Sequence, residues 1–354
     1  MNEITTVGVD LAKEHIVACA ADAAGRIVCF RHFSFAGFGE WIANLPPCLI
    51  GMEACSSAHH WARTLAARGH TPRLIAAELV EPFRLSRGAK NDRADAQAVL
   101  CAVRQPAMRF VSIKSLDQQA ILAWHRVRSG YQDDRRALVN RLRGLLAEFG
   151  VWVRRSAPAL LRELAPLAED ERLPVRVRPL LLQSLGHLRQ IDALITECDE
   201  RIEAHAREHD DAQRIQALLG IGRLTASAVV ASISDARDFR NGRQLAAWAG
   251  LVPRQHSTGG KTRLGPITKR GDTYLRSLLT QGARSALQVA LKRDPLRRSR
   301  LEQWIVNLHG RAGYHKTLVA IANKHLRIIW AILAHGEAYD PQAWRRHPHQ
   351  ARAI

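Results

Sequence analysis

Four carboxylates in the first hundred residues have the types and places that metal chemistry needs. Asp92 and Asp95 lie in the stretch KNDRADA at 90–96. Helical spacing puts them on one face, close enough to repel. Asp10 closes the apolar run ITTVGVD and Glu53 closes CLIGME. Strand ends on one edge of a sheet lie near each other, and a helix packed on that sheet can carry Asp92 and Asp95 to the same point. Gathered there, four carboxylates would repel unless a cation sat among them. A hard divalent ion such as Mg²⁺ takes carboxylate oxygens and still binds phosphate, and two such ions can stabilise both ends of a phosphodiester displacement. The competing reading makes Asp92 a helix N-cap with Asp95 at the third position, both favoured beside the positive helix end.

A second chemical stretch is AWAGLVPRQHSTGGKTRLGPITKRGDTYLR at 247–276. Its glycines argue for an irregular backbone, and Arg254, Lys261, Arg263, Lys269, Arg270 and Arg276 form a dense positive run. The reading is a phosphate cradle, with the hydroxyls of Ser257 and Thr258 inside it and His256 adjoining. A hydroxyl that attacks a phosphodiester must lose its proton, and cations must surround the transition state. The resulting ester between protein and DNA would conserve bond energy, so a strand could be rejoined elsewhere. Upstream, Gly220-Ile221-Gly222 stands between two apolar helical segments. That pattern suits a helix-hairpin-helix turn, in which Gly220 and Gly222 leave backbone amides open to a phosphate.

These groups need elements to position them. The first hundred residues alternate short β-rich runs (4–10, 15–21, 26–33, 48–53, 71–77) with helical ones (35–45, 57–69, 91–104), which predicts a mixed α/β sheet covered by helices. Beyond 115 the strand signals vanish. Apolar stripes through Leu138, Leu142, Leu145 and Phe149, and through Leu181, Leu185, Leu188, Ile191, Leu194, Cys198 and Ile202, predict two long helices over 115–150 and 178–207. They read as an antiparallel helical or coiled-coil arm, reversed by the Pro-bearing segment 157–179. The outward arginines of the first helix (126, 128, 135, 136, 141, 143) form either a solvated face or a phosphate track. The expected divisions are 1–110, a catalytic α/β domain; 111–210, the arm; 211–340, an all-α domain carrying the hairpin and serine loop; and 341–354, a mobile tail.

Charge separates these parts. Residues 1–105 hold 11 Lys and Arg against 10 Asp and Glu, while the remainder carries a net +18 of the chain's +19. The basic part suits a polyanion such as double-stranded DNA. No run of 18 apolar residues and no signal-like N-terminus is visible, so the expectation is a cytoplasmic, nucleoid-associated protein with no membrane partner. Six cysteines without metal-ligand spacing read as reduced thiols.

VGVDLAKEH, GMEACSSAHHWAR and KNDRADA resemble, in order and spacing, the Asp-Glu-Asp-Asp motifs of insertion-sequence-110 transposases, and QHSTGGK resembles their 1111 subgroup. The resemblance implies an RNase H-like catalytic domain of the RuvC type, with Asp10, Glu53, Asp92 and Asp95 as ligands of Mg²⁺. It also implies a homo-oligomer (dimer or tetramer), a serine nucleophile combined with the acidic site in one composite centre, and a non-coding guide RNA that pairs with element ends and target DNA. Counted from Pro253 the family serine falls on Thr258; counted back from TKRGD it falls on Ser257. Ser257 is chosen because its primary hydroxyl is less hindered. Two rivals stand beside this reading. A RuvC-like junction nuclease would use the four acids and water with no covalent intermediate. An actin-like kinase would need a second strand–turn–strand repeat and a glycine-rich nucleotide site, neither of which is present.

Overall fold

In the computed structural model, residues 3–84, 91–153 and 156–342 are described. Lys90 and the tail from 343 onward therefore lie outside the described residues. The chain divides into two compact units, Met1–Ser115 and Leu116–Ile354, so the arm and the C-terminal helices belong to one unit.

The first unit runs β1 (Thr6–Leu11), β2 (Ile16–Ala21), β3 (Ile27–Phe33), α1 (Phe35–Ala43), β4 (Leu49–Glu53), α2 (Ala58–Ala67), β5 (Thr71–Ile75), α3 (Ala77–Val80), α4 (Asp92–Val103) and β6 (Phe110–Val111). The strands form one sheet in the order β3-β2-β1-β4-β5-β6. β1, β2 and β3 are antiparallel neighbours, β1, β4 and β5 are parallel, and β6 closes the edge antiparallel. This mixed α/β architecture fits the RNase H-like fold that the resemblance implied. Strand alternation gives the sheet two covered faces. Val7, Val9, Ile16, Ile50, Met52 and Leu74 pack with Phe38 and Ile42 of α1 and with Trp61 and Leu65 of α2. Val17 and Cys19 meet Ala96 and Leu100 of α4 on the opposite face. Burial pushes the Cys19 thiol up to about 12 and the Cys48 thiol up to about 11.

The second unit contains α5 (Leu116–Glu148), α6 (Ala157–Leu167), α7 (Arg178–Glu208), α8 (Asp210–Gln216), α9 (Arg223–Ser232), α10 (Gly242–Trp248), β7 (Pro253–Gln255), β8 (Leu264–Ile267), α11 (Thr273–Lys292), α12 (Arg300–Ala312) and α13 (Tyr314–His335). α5 and α7 run antiparallel: Arg128 pairs with Asp199 and, seven residues on, Arg135 pairs with Asp192 seven residues back. Arg136 pairs along its own helix with Asp133. Two of the arginines considered for phosphate therefore fasten the helix pair. The apolar stripe of α5 is Leu138, Leu142 and Leu146, whereas Leu145 is half-buried and Phe149 exposed. Val139 is buried beside them, so the face that α5 buries is broader than a single line, and Leu146 takes the place expected of Leu145. α6 was not anticipated; Ser156 caps it through a bond from the Ala159 amide, and Pro158 sits in its first turn.

The expectation of an all-α C-terminal domain is corrected by the β7–β8 hairpin. Gly259 (φ +55°) and Gly260 (φ +76°) provide two successive left-handed residues, the conformation of the tightest hairpin turns. α13 is long and apolar enough to cross a membrane by length and composition, at a mean hydropathy of 1.3. Its stripe through Leu318, Ile321, Leu326 and Ile329 instead lies in the core of this unit.

A polar chain is buried among α5, α7, α9 and α11. The Tyr274 hydroxyl lies 2.9 Å from His125 Nδ1, and Ser227 Oγ lies 3.0 Å from His125 Nε2 and 2.9 Å from His205 Nδ1. Burial, followed by the nearby His205 and Arg128, pushes His125 down to about 4. Burial alone pushes His325, in α13, down to about 4. An unfolded histidine binds its proton near pH 6.5. Above that pH neither state is protonated and full stability is present. As pH falls from 6.5 through 4 the unfolded chain gains protons first and stability is lost, by about 3 kcal/mol for each histidine at the limit. Urea unfolding at pH 7.5 and pH 4.5 should show this fall, and His325→Leu should remove one such share while keeping the rest.

Candidate active site

The acidic face depends on how closely α4 approaches the sheet. A Cβ on Gly8 would stand 2.3 Å from both the Ala96 oxygen and the Leu100 nitrogen, and one on Gly51 would stand 2.7 Å from Val103 Cβ. Gly8 and Gly51 therefore face α4 at adjacent places on parallel strands, paired in register. Asp10 and Glu53 are each two residues further along, so alternation places them on this same face. Val9 pairs with Met52, which makes Asp10 and Glu53 neighbours one step beyond, at the carboxyl ends of their strands. Such strand ends are where open α/β sheets place their ligands. α4 runs against β1, and its first turn, with Asp92 and Asp95, comes level with that edge.

The capping alternative for Asp92 is overturned. Asn91 is the N-cap, its Oδ1 accepting from the Ala94 amide at 2.8 Å, and Asp92 opens the helix itself. Neither aspartate is spent on capping, and both stand at the positive helix end that favours carboxylates.

Arg84, which was not singled out from the sequence, connects two of the acids. Its Nη2 lies 3.5 Å from Glu53 Oε1 and its Nε 2.8 Å from Asp95 Oδ1. Asp95 is buried, with a side chain 7% exposed, and its Oδ1 makes that approach without the alignment of a hydrogen bond. Asp92 is more open and meets His15 Nε2 at 2.8 Å. Among the described residues no group of three or more His, Cys, Asp or Glu side chains is close enough, as placed, to hold a metal ion. The donor set nevertheless fits a hard cation: it is all oxygen, one member is buried and poorly satisfied, and a guanidinium occupies the space between two carboxylates. The arginine's role was illegible because its register depends on the chain returning from β5 to α4.

In the other unit, Ser257 sits two residues beyond β7, exposed. Its Oγ accepts from Gln255 Nε2 at 2.9 Å and from the Arg263 amide at 3.3 Å. Thr258 instead begins the turn, bridging Lys261, whose amide donates to its carbonyl at 3.0 Å. Arg254, Lys261 and Arg263 are exposed on the hairpin. The hairpin's base is built by interlocked glycines: a Cβ on Gly250 would stand 2.0 Å from the Arg270 oxygen, and one on Gly271 2.1 Å from the Trp248 oxygen. Lys269 holds a left-handed φ of +56° there. Arg276 is not a free phosphate contact, since its guanidinium braces this base through the carbonyls of Ala249 at 3.2 Å and Arg270 at 3.1 Å.

Gly220 (φ +88°) turns the chain between α8 and α9, and its added Cβ would stand 2.3 Å from the Gly282 oxygen. Packing against α11 therefore explains Gly220 by itself. Gly222 is the exposed residue preceding α9, with open space about it.

Comparison with known proteins adds to this geometry. Residues 212–298 match the family described as "Transposase IS116/IS110/IS902 family", and residues 7–150 match the DEDD domain of IS110 elements, described as "Transposase". A "Probable family 20 transposase" from Pseudomonas aeruginosa is 44% identical over 341 residues, covering 96% of this chain and 99% of its own. The "Transposase for insertion sequence element IS1111A" from Coxiella burnetii is 38% identical over 342 residues, covering 96% and 92%. The corresponding protein of IS1328 from Yersinia enterocolitica is 34% identical, covering 96% and 100%.

The α4 contact yields a stability test. Gly8→Ala puts a methyl against backbone atoms that cannot rotate away, so urea unfolding should show a loss of about 1–3 kcal/mol or more. Gly130→Ala, in open space within α5, should instead stabilise by about 0.5–1 kcal/mol.

Proposed function

Because the chain belongs to the IS116/IS110/IS902 family of transposases, we propose that it moves its element by a serine-based exchange of DNA strands assisted by the acidic face. Asp10, Glu53, Asp92 and Asp95 are the residues that would hold a divalent cation, Mg²⁺ in this reading, and Arg84 would have to yield its place between Glu53 and Asp95. When bound, that ion supplies Lewis-acid stabilisation of charge developing on the phosphate.

Ser257 is the nucleophile in this reading. Two donors fix its Oγ, leaving its own proton free to depart toward a base. A bond forms from Oγ to phosphorus, one P–O ester bond of the DNA breaks, and the departing strand's oxygen takes up a proton. The phosphoserine ester then passes its phosphate to a new strand end by the reverse step. Arg254, Lys261 and Arg263 line the exposed hairpin and offset the phosphate charge, with Lys269 and Arg270 at its base. Gly222 and the start of α9 offer backbone amides to a DNA phosphate, completing a helix-hairpin-helix element. The large positive excess of the second unit supports holding double-stranded DNA and a guide RNA, and action as a dimer or tetramer belongs to the same reading.

The observation that carries the proposal is the convergence of Glu53 and Asp95 on one guanidinium, beside Asp10 on the same sheet face. Its test is covalent trapping. With Mg²⁺, element-end DNA and the element's RNA, a denaturant-resistant protein–DNA adduct should form and map to Ser257. Ser257→Ala should abolish it, Thr258→Ala should leave appreciable amounts, and Asp95→Asn should lower its formation by about 100-fold or more. Cleavage without any adduct would instead favour a water-using nuclease. Duplex binding should weaken steeply with salt, and Arg263→Ala should reduce the log–log slope by about one.

A further inference from the structure

A cavity of about 990 Å³ lies among α10, α12, α13 and residues 337–341. None of its lining residues belongs to the hairpin or to the acidic face. Arg243, Arg300, Lys324 and Arg327 bring four positive charges to it. Lys324 Nζ stands 4.5 Å from the centre of the Trp304 ring. Among the described residues, Arg243, Lys324 and Arg327 have no carboxylate partner; Glu302, the nearby buried acid, is taken by Arg293 at 2.8 Å. Glu337 and Asp340 stand on the wall formed by the C-terminal segment. Burial, then the neighbouring Arg327 and Arg300, push the Lys324 ammonium below its ordinary range. The remaining wall is apolar, formed by Leu301, Ile328 and Ile332 beside Trp304.

The four cations outnumber the two acids of the lining, and three of them have no carboxylate partner among the described residues, which calls for an anion; an apolar wall with an indole calls for a flat ring. A bare phosphate would leave that wall without a partner, and a neutral ring would leave the cations unanswered. The volume falls at the upper end of the range of about 300–1,000 Å³ found for small-ligand sites. We propose that this cavity binds a nucleoside phosphate, either as an unstacked nucleotide of a nucleic-acid strand or as a free nucleotide. Lys324, Arg327 and Arg243 hold the phosphate, and the base lies along the Trp304 wall. The proposal does not depend on the serine chemistry.

The full chain should be titrated with two probes, adenosine monophosphate and a fluorescein-labelled five-nucleotide single strand. Both readouts, tryptophan quenching and anisotropy, should show saturable binding that the exposed-site variant Arg327→Gln and the variant Lys324→Gln each weaken by about tenfold or more. Trp304→Phe should abolish the quenching while the protein stays folded by thermal denaturation. Tighter binding of the strand identifies the source as nucleic acid, and equal or tighter binding of the monophosphate identifies a free nucleotide. The proposal is overturned if neither probe saturates, or if both bind these variants as they bind the parent protein. Adduct formation at Ser257, measured in parallel, separates failure of this site from failure of the proposed reaction.

Discussion

The acidic face depends on one contact, the backbone of α4 pressed onto β1 and β4. A helix can come that near a sheet only where the strands carry no side chain, and Gly8 and Gly51 are those places. The contact fixes the height of the helix above the sheet and the level at which its first turn stops. Asp10 and Glu53 leave the strands two residues beyond the glycines, and Asp92 and Asp95 leave the helix where it passes that edge. Small shifts matter in such a place, because the proposed Mg²⁺ would need its oxygen ligands close to ideal positions.

Charge is managed differently in the two units. In the first, Arg84 answers Glu53 and Asp95, so a side chain occupies the place proposed for a metal. In the second, several arginines that read as phosphate contacts are already engaged. Arg128 and Arg135 fasten α5 to α7, and Arg276 holds the base of the serine hairpin. The cations left for a polyanion are fewer than composition suggests, and some of them stand on the hairpin and around the Trp304 cavity. A basic sequence thus overstates its binding surface, since guanidinium groups serve equally well as internal ties.

The serine hairpin shows how a short polar segment becomes rigid without a core. Its tip is shaped by Gly259 and Gly260, its base by the interlocked Gly250 and Gly271, and its hydroxyl by Gln255 and the Arg263 amide. The stretch read as irregular because its strands are only three and four residues long and show no apolar alternation. The turn chemistry was present in the glycine pair but could not be matched to strands so brief.

Much of the first unit was legible in the chain itself. Strand and helix limits there follow from period-two and period-3.6 patterning, which local sterics and burial write directly into residue order. The motifs around Asp10, Glu53 and Asp92–Asp95 were likewise visible as types and spacing. Tertiary structure alone decided which groups meet. It gave capping to Asn91, set Arg84 between two acids, turned the stripe of α5 onto Leu146, assigned Gly220 to packing against Gly282, and assembled a cationic cavity from three separated helices. Each of these is a contact between residues distant along the chain, where no local periodicity records the partner and only the packing of whole elements brings the atoms together.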